Sequence, residues 1–200
     1  LEDKLVQSAL VKILERIYEQ DFIADSYGFR PKRRCHDALR ALSQTVESGY
    51  IHHMVEADIK GFFDNVDQEQ LMRFLGHRIA DKRILRLIRR FLKAGIQEDG
   101  HHVASDTGTP QGGVISPLLA NIYLHYTLDL WFEKRIKRQC AGYARLIRYA
   151  DDFVVCFQLE ADAKRFMEVM EERLKQFNLE VAPEKTKQFE FGPFAQSKAK

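Results

Sequence analysis

Residues 146–157 decide the fold, and they read LIRYADDFVVCF. Apolar runs flank the polar segment Tyr149-Ala150-Asp151-Asp152, which predicts two β-strands joined by a tight turn at the acidic pair. Two like charges about 4 Å apart, at an effective dielectric constant of about 20, repel by roughly 4 kcal/mol. The pair is therefore either a solvated hairpin turn, where aspartate is an ordinary residue, or one side of a cation site.

The elements on either side of this hairpin predict an α+β fold. Helices are expected at about 4–19, 36–47, 82–93 and 162–177, and a further helix is expected to start at Asp67 as its N-cap. Ser116 is expected to cap a long helix that ends before Gly142, with Pro117 at its first position. A strand is expected at 50–59, a strand or strand pair at 179–191, and a hairpin turn at Asp99-Gly100. From residue 50 onward this is the split βαβ order of a ferredoxin-like antiparallel sheet with helices on one face.

A third carboxylate, Asp58, ends the predicted strand 50–59. The first and third strands of a ferredoxin-like sheet are central neighbours, so Asp58 can meet Asp151 and Asp152 at one edge. Carboxylate oxygens without histidine or cysteine suit Mg²⁺, which shares its coordination shell with substrate phosphates. Two such ions about 4 Å apart serve in-line displacement at phosphorus. The three carboxylates therefore predict phosphoryl or nucleotidyl transfer.

The composition is that of an ordinary globular chain of 200 residues, 45% hydrophobic and 30% charged. No apolar run is long enough for a membrane span, and the N-terminus does not resemble a signal peptide, so a soluble, cytoplasmic protein without a membrane partner is expected. Cys35, Cys140 and Cys156 are widely separated, which argues against a disulfide framework or a structural zinc site and predicts reduced thiols.

The net charge of +2 does not by itself indicate a nucleic-acid partner, but the basic residues are clustered. Each cluster is either a solvated helix face or part of a surface that follows phosphates. The clusters are Arg30, Lys32, Arg33 and Arg34; Lys82, Arg83, Arg86, Arg89, Arg90 and Lys93; and Lys134, Arg135, Lys137 and Arg138.

Four blocks of this sequence resemble reverse transcriptases. Residues 149–152 resemble the tyrosine-x-Asp-Asp signature, and residues 58–64 (DIKGFFD) resemble the first catalytic motif of that family. Residues 108–122 (GTPQGGVISPLLANI) and 27–31 (YGFRP), followed by HDA at 36–38, resemble blocks of group II intron-encoded proteins. The resemblance implies a partial, mainly helical fingers region at 1–49 and a reverse transcriptase palm with inserted helices at 50–200, as one continuous domain fragment.

The resemblance also implies how the metal site is built. Asp58, Asp151 and Asp152 would bind two Mg²⁺ ions, for which Mn²⁺ is a possible substitute, and the Ile59 carbonyl would be a further ligand. Lys185, within residues 183–186 (PEKT), resembles the palm lysine that is proposed to protonate the pyrophosphate leaving group. These four side chains and one carbonyl form the implied catalytic centre.

Further residues are implied to bind substrate. Phe63 matches the position where a bulky aromatic ring clashes with a ribose 2′-hydroxyl and so selects deoxynucleotides. Gln111 would line the pocket for the incoming nucleotide, Gly112 and Tyr149 would also contact substrate, and Arg30 would lie close to the template or the nucleotide. Considered without the resemblance, Phe63 is a core residue and Lys185 a solvated strand end.

The implied activity is that of an RNA-directed DNA polymerase of group II intron type, with an RNA template, a DNA primer, deoxynucleoside triphosphates and intron RNA as partners. The alternative is an RNA-binding maturase module in which the polymerase site is idle and the basic clusters carry the function. The chain starts like the tail of a fingers motif and stops before the expected primer grip. A fragment without a thumb, with weak or no activity by itself, is therefore expected.

Overall fold

The observed helices and strands follow the predicted order. The structure is a computed structural model that describes residues 2–94, 96–98, 101–103, 108–109 and 113–190. Within these residues the helices are α1 Glu2–Tyr18, α2 Cys35–Glu47, α3 Phe62–Asn65, α4 Gln68–Gly76, α5 Lys82–Lys93, α6 Ser116–Leu124, α7 Lys137–Gln139 and α8 Glu160–Lys175. Two π-helical segments, His125–Asp129 and Phe132–Ile136, lie between α6 and α7. The strands are β1 His53–Ala57, β2 Ile96–Glu98, β3 His101–Val103, β4 Ala144–Tyr149, β5 Asp152–Phe157 and β6 Lys187–Glu190.

The predicted ferredoxin-like sheet is confirmed. In the described part of the chain, four strands form an antiparallel sheet in the order β4-β5-β1-β6, so the first and third strands of the split βαβ unit are central neighbours. Val55 pairs with Val155 and Ala57 with Phe153 across β1 and β5. The hairpin predicted around Asp99-Gly100 is present as the β2-β3 pair, although the turn itself lies outside the described residues.

Alternate residues of the sheet face two different cores, because successive side chains of a strand point to opposite faces. Val55, Ala57, Phe153 and Val155 belong to the large core that the sheet shares with α4, α5, α6, the π-helical segments and α8. Met54 and Cys156 face the other way and pack beside α2. The helices α4, α5, α6 and α8 thus cover one face, as predicted, and α2 covers part of the other.

Helix starts explain where the predictions succeeded and where one was wrong. Asp67 and Asp81 cap α4 and α5, with their carboxylates accepting the amides of Gln70 and Arg83. The prediction that Ser116 is an N-cap is wrong, because Ile115 occupies that position and Ser116 is already helical. Proline is tolerated throughout the first turn, whose amides have no intrahelical acceptor, so Pro117 alone could not fix the first residue.

Strand ends also differ from the predictions. The strand expected at 50–59 is regular only at His53–Ala57, and the strand expected at 179–191 is regular only at Lys187–Glu190. Ile59, after the end of β1, forms an isolated antiparallel bridge with Val181, before the start of β6. Among the described residues, no helix is both long and apolar enough to cross a bilayer. Cys35, Cys140 and Cys156 are separate free thiols, as predicted.

Candidate active site

Sheet register brings the predicted carboxylates together. Ala57 pairs with Phe153 and both face the large core. The next positions along, Asp58 and Asp152, therefore share the opposite face, at the same end of two neighbouring central strands. Asp151 precedes Asp152 in the turn between β4 and β5. Side chains of Asp58 and Asp152 line one cleft of about 400 Å³.

Lys185 joins these carboxylates from the segment before β6. Its Nζ donates a hydrogen bond to Oδ2 of Asp58 at 2.6 Å, and the Asp58 side chain is 17% exposed against 64% for Lys185. The hydrogen bond to Asp58 and the negative charge of that carboxylate raise the pKa of Lys185. The lysine predicted from the sequence therefore lies at the carboxylates and carries a positive charge there.

Negative charges are crowded around Asp152. Partial burial raises the pKa of this carboxyl, and the neighbouring charges of Asp151 and Asp58 raise it further, while Lys185 opposes them. Within the described residues, no group of three histidine, cysteine or acidic side chains stands ready to hold a metal ion. The donor set that is present, carboxylate oxygens with an excess of negative charge, is one that favours a hard divalent cation.

The turn that carries Asp151 has an unusual backbone. Tyr149 pairs with Asp152, which leaves Ala150 and Asp151 as the turn residues, and Ala150 has φ +57°. A residue with a Cβ in the left-handed region costs roughly 1–2 kcal/mol. Gly28 packs directly on this turn, and a Cβ built on Gly28 would clash with the backbone nitrogen of Ala150. The loop before α2 and the acidic turn are therefore fitted to each other.

A buried arginine fixes the strand that leads into the turn. Arg148 is 0% exposed, and its Nε and one terminal nitrogen donate to the two carboxylate oxygens of Asp129 at 2.8 and 2.6 Å. The other terminal nitrogen donates to the Asn121 side chain at 2.9 Å and to the Ala150 carbonyl at 2.7 Å. A further bond reaches the Ser26 hydroxyl at 2.8 Å. One side chain thus ties the acidic turn to the long helix and to the N-terminal loop.

Backbone and side-chain contacts complete this attachment of the N-terminal region. Ser26 forms a parallel bridge with Arg148, and the Tyr27 amide donates to the Arg148 carbonyl at 2.9 Å. On the opposite face of β4, Arg145 forms a bidentate pair with Asp25 at 2.8 and 2.7 Å and donates to the Thr45 hydroxyl of α2. The N-terminal loop therefore covers the free edge of the sheet beside the turn.

Sequence analysis missed Arg148 and Asp129, although both leave a signal. Arg148 shares the strand face of Leu146, which faces the large core. Asp129 lies in the long helix, seven residues after Ile122 and three after Tyr126, which is the spacing of one helical face. A charged residue on each of two buried faces signals a buried ion pair, because an unpaired buried charge is too costly.

The residues expected to flank the carboxylates have definite positions. Phe63 is partly buried against Phe62, and its ring lies edge-on to Phe29 of the N-terminal loop at 6.5 Å. Ile59 is buried, and its bridge with Val181 uses the Asp58 carbonyl and the Lys60 amide, not the Ile59 carbonyl. Tyr149 is 38% exposed at the end of β4. Their predicted contacts with nucleotide and metal stay predictions.

Arg30 is held inside the N-terminal loop. Its guanidinium forms a bidentate pair with Glu19 at 3.0 and 2.9 Å and donates to the Ile23 and Ser26 carbonyls at 2.8 and 2.6 Å. These contacts fix the loop that approaches the acidic turn, and the predicted contact with template or nucleotide stays a prediction. Gln111 and Gly112 lie outside the described residues.

Comparison with known proteins agrees with the resemblance seen in the sequence. The family model described as "Reverse transcriptase (RNA-dependent DNA polymerase)" matches residues 1–199. The group II intron-encoded protein LtrA of Lactococcus lactis subsp. cremoris is 50% identical over 123 residues, which is 62% of this chain and 20% of that protein. Protein YkfC of Escherichia coli (strain K12) is 36% identical over 208 residues, covering 88% of this chain and 55% of that protein. The chain thus spans about a fifth of the first relative and about half of the second.

Solved structures of telomerase share the fold. Apo telomerase from Candida tropicalis, truncated from its C-terminal domain, superposes with a TM-score of 0.70 at 14% identity, over 94% of this chain and 41% of that one. Telomerase from Candida albicans in complex with a fragment of telomeric RNA gives a TM-score of 0.67 at 15% identity, over 92% of this chain and 33% of that one. At these identities the likeness concerns the fold alone.

Proposed function

Because the chain belongs to the reverse transcriptase (RNA-dependent DNA polymerase) family, we propose that it is the fingers and palm part of an RNA-directed DNA polymerase of group II intron type. The reaction is the addition of a deoxynucleoside triphosphate to a primer 3′-hydroxyl, directed by an RNA template, with release of pyrophosphate. One observation carries the proposal: Asp58 and Asp152 share one face of the sheet at the same end of neighbouring strands, beside Asp151 and Lys185.

The same observation supports a two-metal site. Asp58, Asp151 and Asp152 would hold two Mg²⁺ ions, or Mn²⁺ as a substitute, and the Ile59 carbonyl is the proposed additional ligand. When bound, the ions supply charge neutralisation at the phosphates and activation of the 3′-hydroxyl. The oxygen-only donors support this assignment, since a hard divalent cation prefers them. Burial raises the pKa of Asp152, and the charges of Asp151 and Asp58 raise it further, which places like charges close enough together for a cation to stabilise them.

Lys185 has two roles in this proposal. Its ammonium neutralises Asp58 through the 2.6 Å hydrogen bond. The hydrogen bond to Asp58 raises the pKa of Lys185 and so holds its proton in place. Once the ammonium leaves that carboxylate for a phosphate oxygen, this stabilisation is lost, and the side chain can give its proton to the leaving pyrophosphate. Because the Lys185 side chain is largely exposed, its ammonium has room to move from the carboxylate to the substrate.

The remaining substrate contacts are proposed from the motif resemblance. Phe63 and Tyr149 are proposed to line the nucleotide site, where the Phe63 ring would exclude a ribose 2′-hydroxyl. Gln111 and Gly112 are proposed to complete the pocket. We further propose that residues 1–49 are a partial fingers region and residues 50–200 the palm, and that the bacterial cytoplasm is the compartment where the protein meets its template, primer and intron RNA.

A specific observation also favours intron RNA as a binding partner. A groove of about 380 Å³ runs between α4 and α5, and basic side chains of the cluster recognised in the sequence line it. Lys82, Arg86 and Arg73 stand on its walls, and Arg89 is paired with Glu69 at 3.3 Å. A cationic groove of this kind suits the phosphate backbone of RNA. RNA binding through this groove is compatible with polymerase activity in the same protein.

Primer extension on an RNA template, with Mg²⁺ and deoxynucleotides, tests the proposed reaction. Asp151→Asn should slow extension at least about a hundredfold, because a two-metal site contributes several kcal/mol to transition-state stabilisation. Asp3→Asn removes the same charge from the exposed first turn of α1 and should leave extension unchanged. Extension by Asp151→Asn at the rate of the parent chain would refute the assignment of the carboxylates.

A further inference from the structure

The helical layer carries a basic cavity that the polymerase site does not use. The cavity has a volume of about 350 Å³ and lies between α8 and the second π-helical segment with α7. Among the described residues, its lining includes the guanidinium groups of Arg135, Arg165 and Arg173, together with the carboxylate of Glu172. The lining therefore has a net positive charge.

Arg173 is a preorganised donor in this cavity. Its Nε donates to the Thr127 carbonyl at 3.0 Å and one terminal nitrogen donates to the Tyr126 carbonyl at 3.3 Å, both within the first π-helical segment. The guanidinium also lies over the rings of Phe177 at 4.3 Å and Trp131 at 5.8 Å. These contacts fix the side chain without neutralising it, since carbonyls and rings carry no formal charge.

The other two arginines add positive charge that is not neutralised. Burial lowers the pKa of Arg173, and the positive charge of Arg135 lowers it further, so these two groups are close enough to repel. Across the part of the chain that the structure describes, neither Arg135 nor Arg165 forms an ion pair with a carboxylate. Gln139 and Gln176 add amide donors to the lining. Positive charges and amide donors around one cavity match the chemistry that an anion requires.

This cavity and the carboxylates lie on opposite sides of the sheet. Asp58 and Asp152 face away from the large core, as the register requires. The helices that line the cavity pack on the large-core face, through Phe132, Phe166 and Met170. An anion in the cavity is therefore separated from a substrate at the carboxylates by the full thickness of the sheet.

We propose that the cavity formed by Arg135, Arg165 and Arg173 binds a phosphate group of an RNA strand that runs along the helical face, outside the polymerase cleft. The planar guanidinium matches a phosphate in bidentate geometry, and the amides of Gln139 and Gln176 suit the remaining phosphate and sugar oxygens. The proposal rests on the proposed function only in taking RNA as the ligand. The cavity would be a second RNA contact surface of the same protein.

The test measures RNA binding by the 200-residue chain through the fluorescence anisotropy of a labelled RNA hairpin. Binding is measured across a series of KCl concentrations, without primer or nucleotides. Arg135→Gln combined with Arg165→Gln should weaken binding roughly tenfold near physiological salt and lower the slope of log affinity against log salt by about 1–2. Both side chains are exposed, so the fold tolerates these changes. Lys4→Gln combined with Lys12→Gln removes two exposed charges from α1 and is the matched control.

Three results would overturn the proposal. The arginine variant could keep the RNA affinity and salt slope of the parent chain, or the lysine control could lose as much affinity as the arginine variant. Alternatively, inorganic phosphate could raise the melting temperature of the parent chain but not of the arginine variant, while RNA affinity is the same in both. The last result would assign the cavity to a free anion. Primer extension by the arginine variant should equal that of the parent chain. Because binding is measured without catalysis, a chain that fails as a polymerase can still pass or fail this test independently.

Discussion

Replacing Arg148 by methionine tests whether the buried ion pair beside the acidic turn governs stability. The change keeps an unbranched apolar side chain but leaves the carboxylate of Asp129 at 0% exposure without its bidentate partner. It also removes donors from the Ala150 carbonyl and the Asn121 side chain. Removing one member of a buried pair costs about 3–5 kcal/mol, mostly because the other charge stays buried. We expect Arg148→Met to lower the free energy of unfolding by that amount.

Arg145→Met is the matched control, since it removes the same group from the same strand on the opposite face. The pair of Arg145 with Asp25 is partly exposed, so solvent screens it and water can replace the lost bonds. We expect a cost of about 1–2 kcal/mol, which is that of charge-assisted hydrogen bonds near the surface. The difference between the two arginines isolates the effect of burial.

Equilibrium unfolding in urea, followed by circular dichroism, measures these free energies, and an unchanged m-value shows that the unfolded states are comparable. Combining Arg148→Met with Asp129→Leu should recover at least about 1 kcal/mol relative to Arg148→Met alone, because a packed apolar pair replaces the unpaired charge. The reasoning is refuted if Arg148→Met costs no more than Arg145→Met, or if adding Asp129→Leu destabilises the protein further.

Two further predictions concern Gly28 and His125. Gly28→Ala should lower the free energy of unfolding in urea by about 1–3 kcal/mol, because the added Cβ meets the Ala150 backbone. Gly76→Ala is the control: its Cβ meets nothing within 4 Å, and it should change the free energy of unfolding by less than about 1 kcal/mol. Equal effects of the two substitutions would contradict the close approach of Gly28 to Ala150. Burial lowers the pKa of His125, so the folded chain resists a proton that the unfolded chain accepts, and the free energy of unfolding should fall as the pH drops below about 6.5. His125→Leu should reduce that fall, and an unchanged pH dependence would exclude His125 as its source.

Local signals were sufficient for much of the fold. The helix at 82–93 was predicted with its observed bounds, because its apolar residues recur at helical spacing. The acidic hairpin and the position of Asp58 followed from strand patterns and from the topology that such patterns allow. The convergence of Asp58 with Asp152, and the contact of Lys185 with Asp58, agree with the arrangement that the family resemblance implied.

The remaining features depend on contacts between distant parts of the chain. The π-helical turns at His125–Asp129 and Phe132–Ile136 follow no local propensity. Two carbonyls of the first segment accept hydrogen bonds from Arg173, which lies on another helix. The pairing of Arg148 with Asp129 required a partner that sequence spacing could not name. Arg30 was assigned from a motif, whereas its observed contacts depend on Glu19, in the turn after α1.

The buried contacts of Arg148 also determine whether the acidic segment 149–152 can be transferred to another protein. A graft of residues 149–152 onto another hairpin would carry the two carboxylates but leave behind the glycine that fits the turn, the amide of Asn121 and the counter-charge of Asp129. The transplanted loop would lose the support that maintains the left-handed Ala150. The smallest transferable unit is therefore the hairpin with its helix and N-terminal loop, and recombination between related enzymes should preserve these segments together.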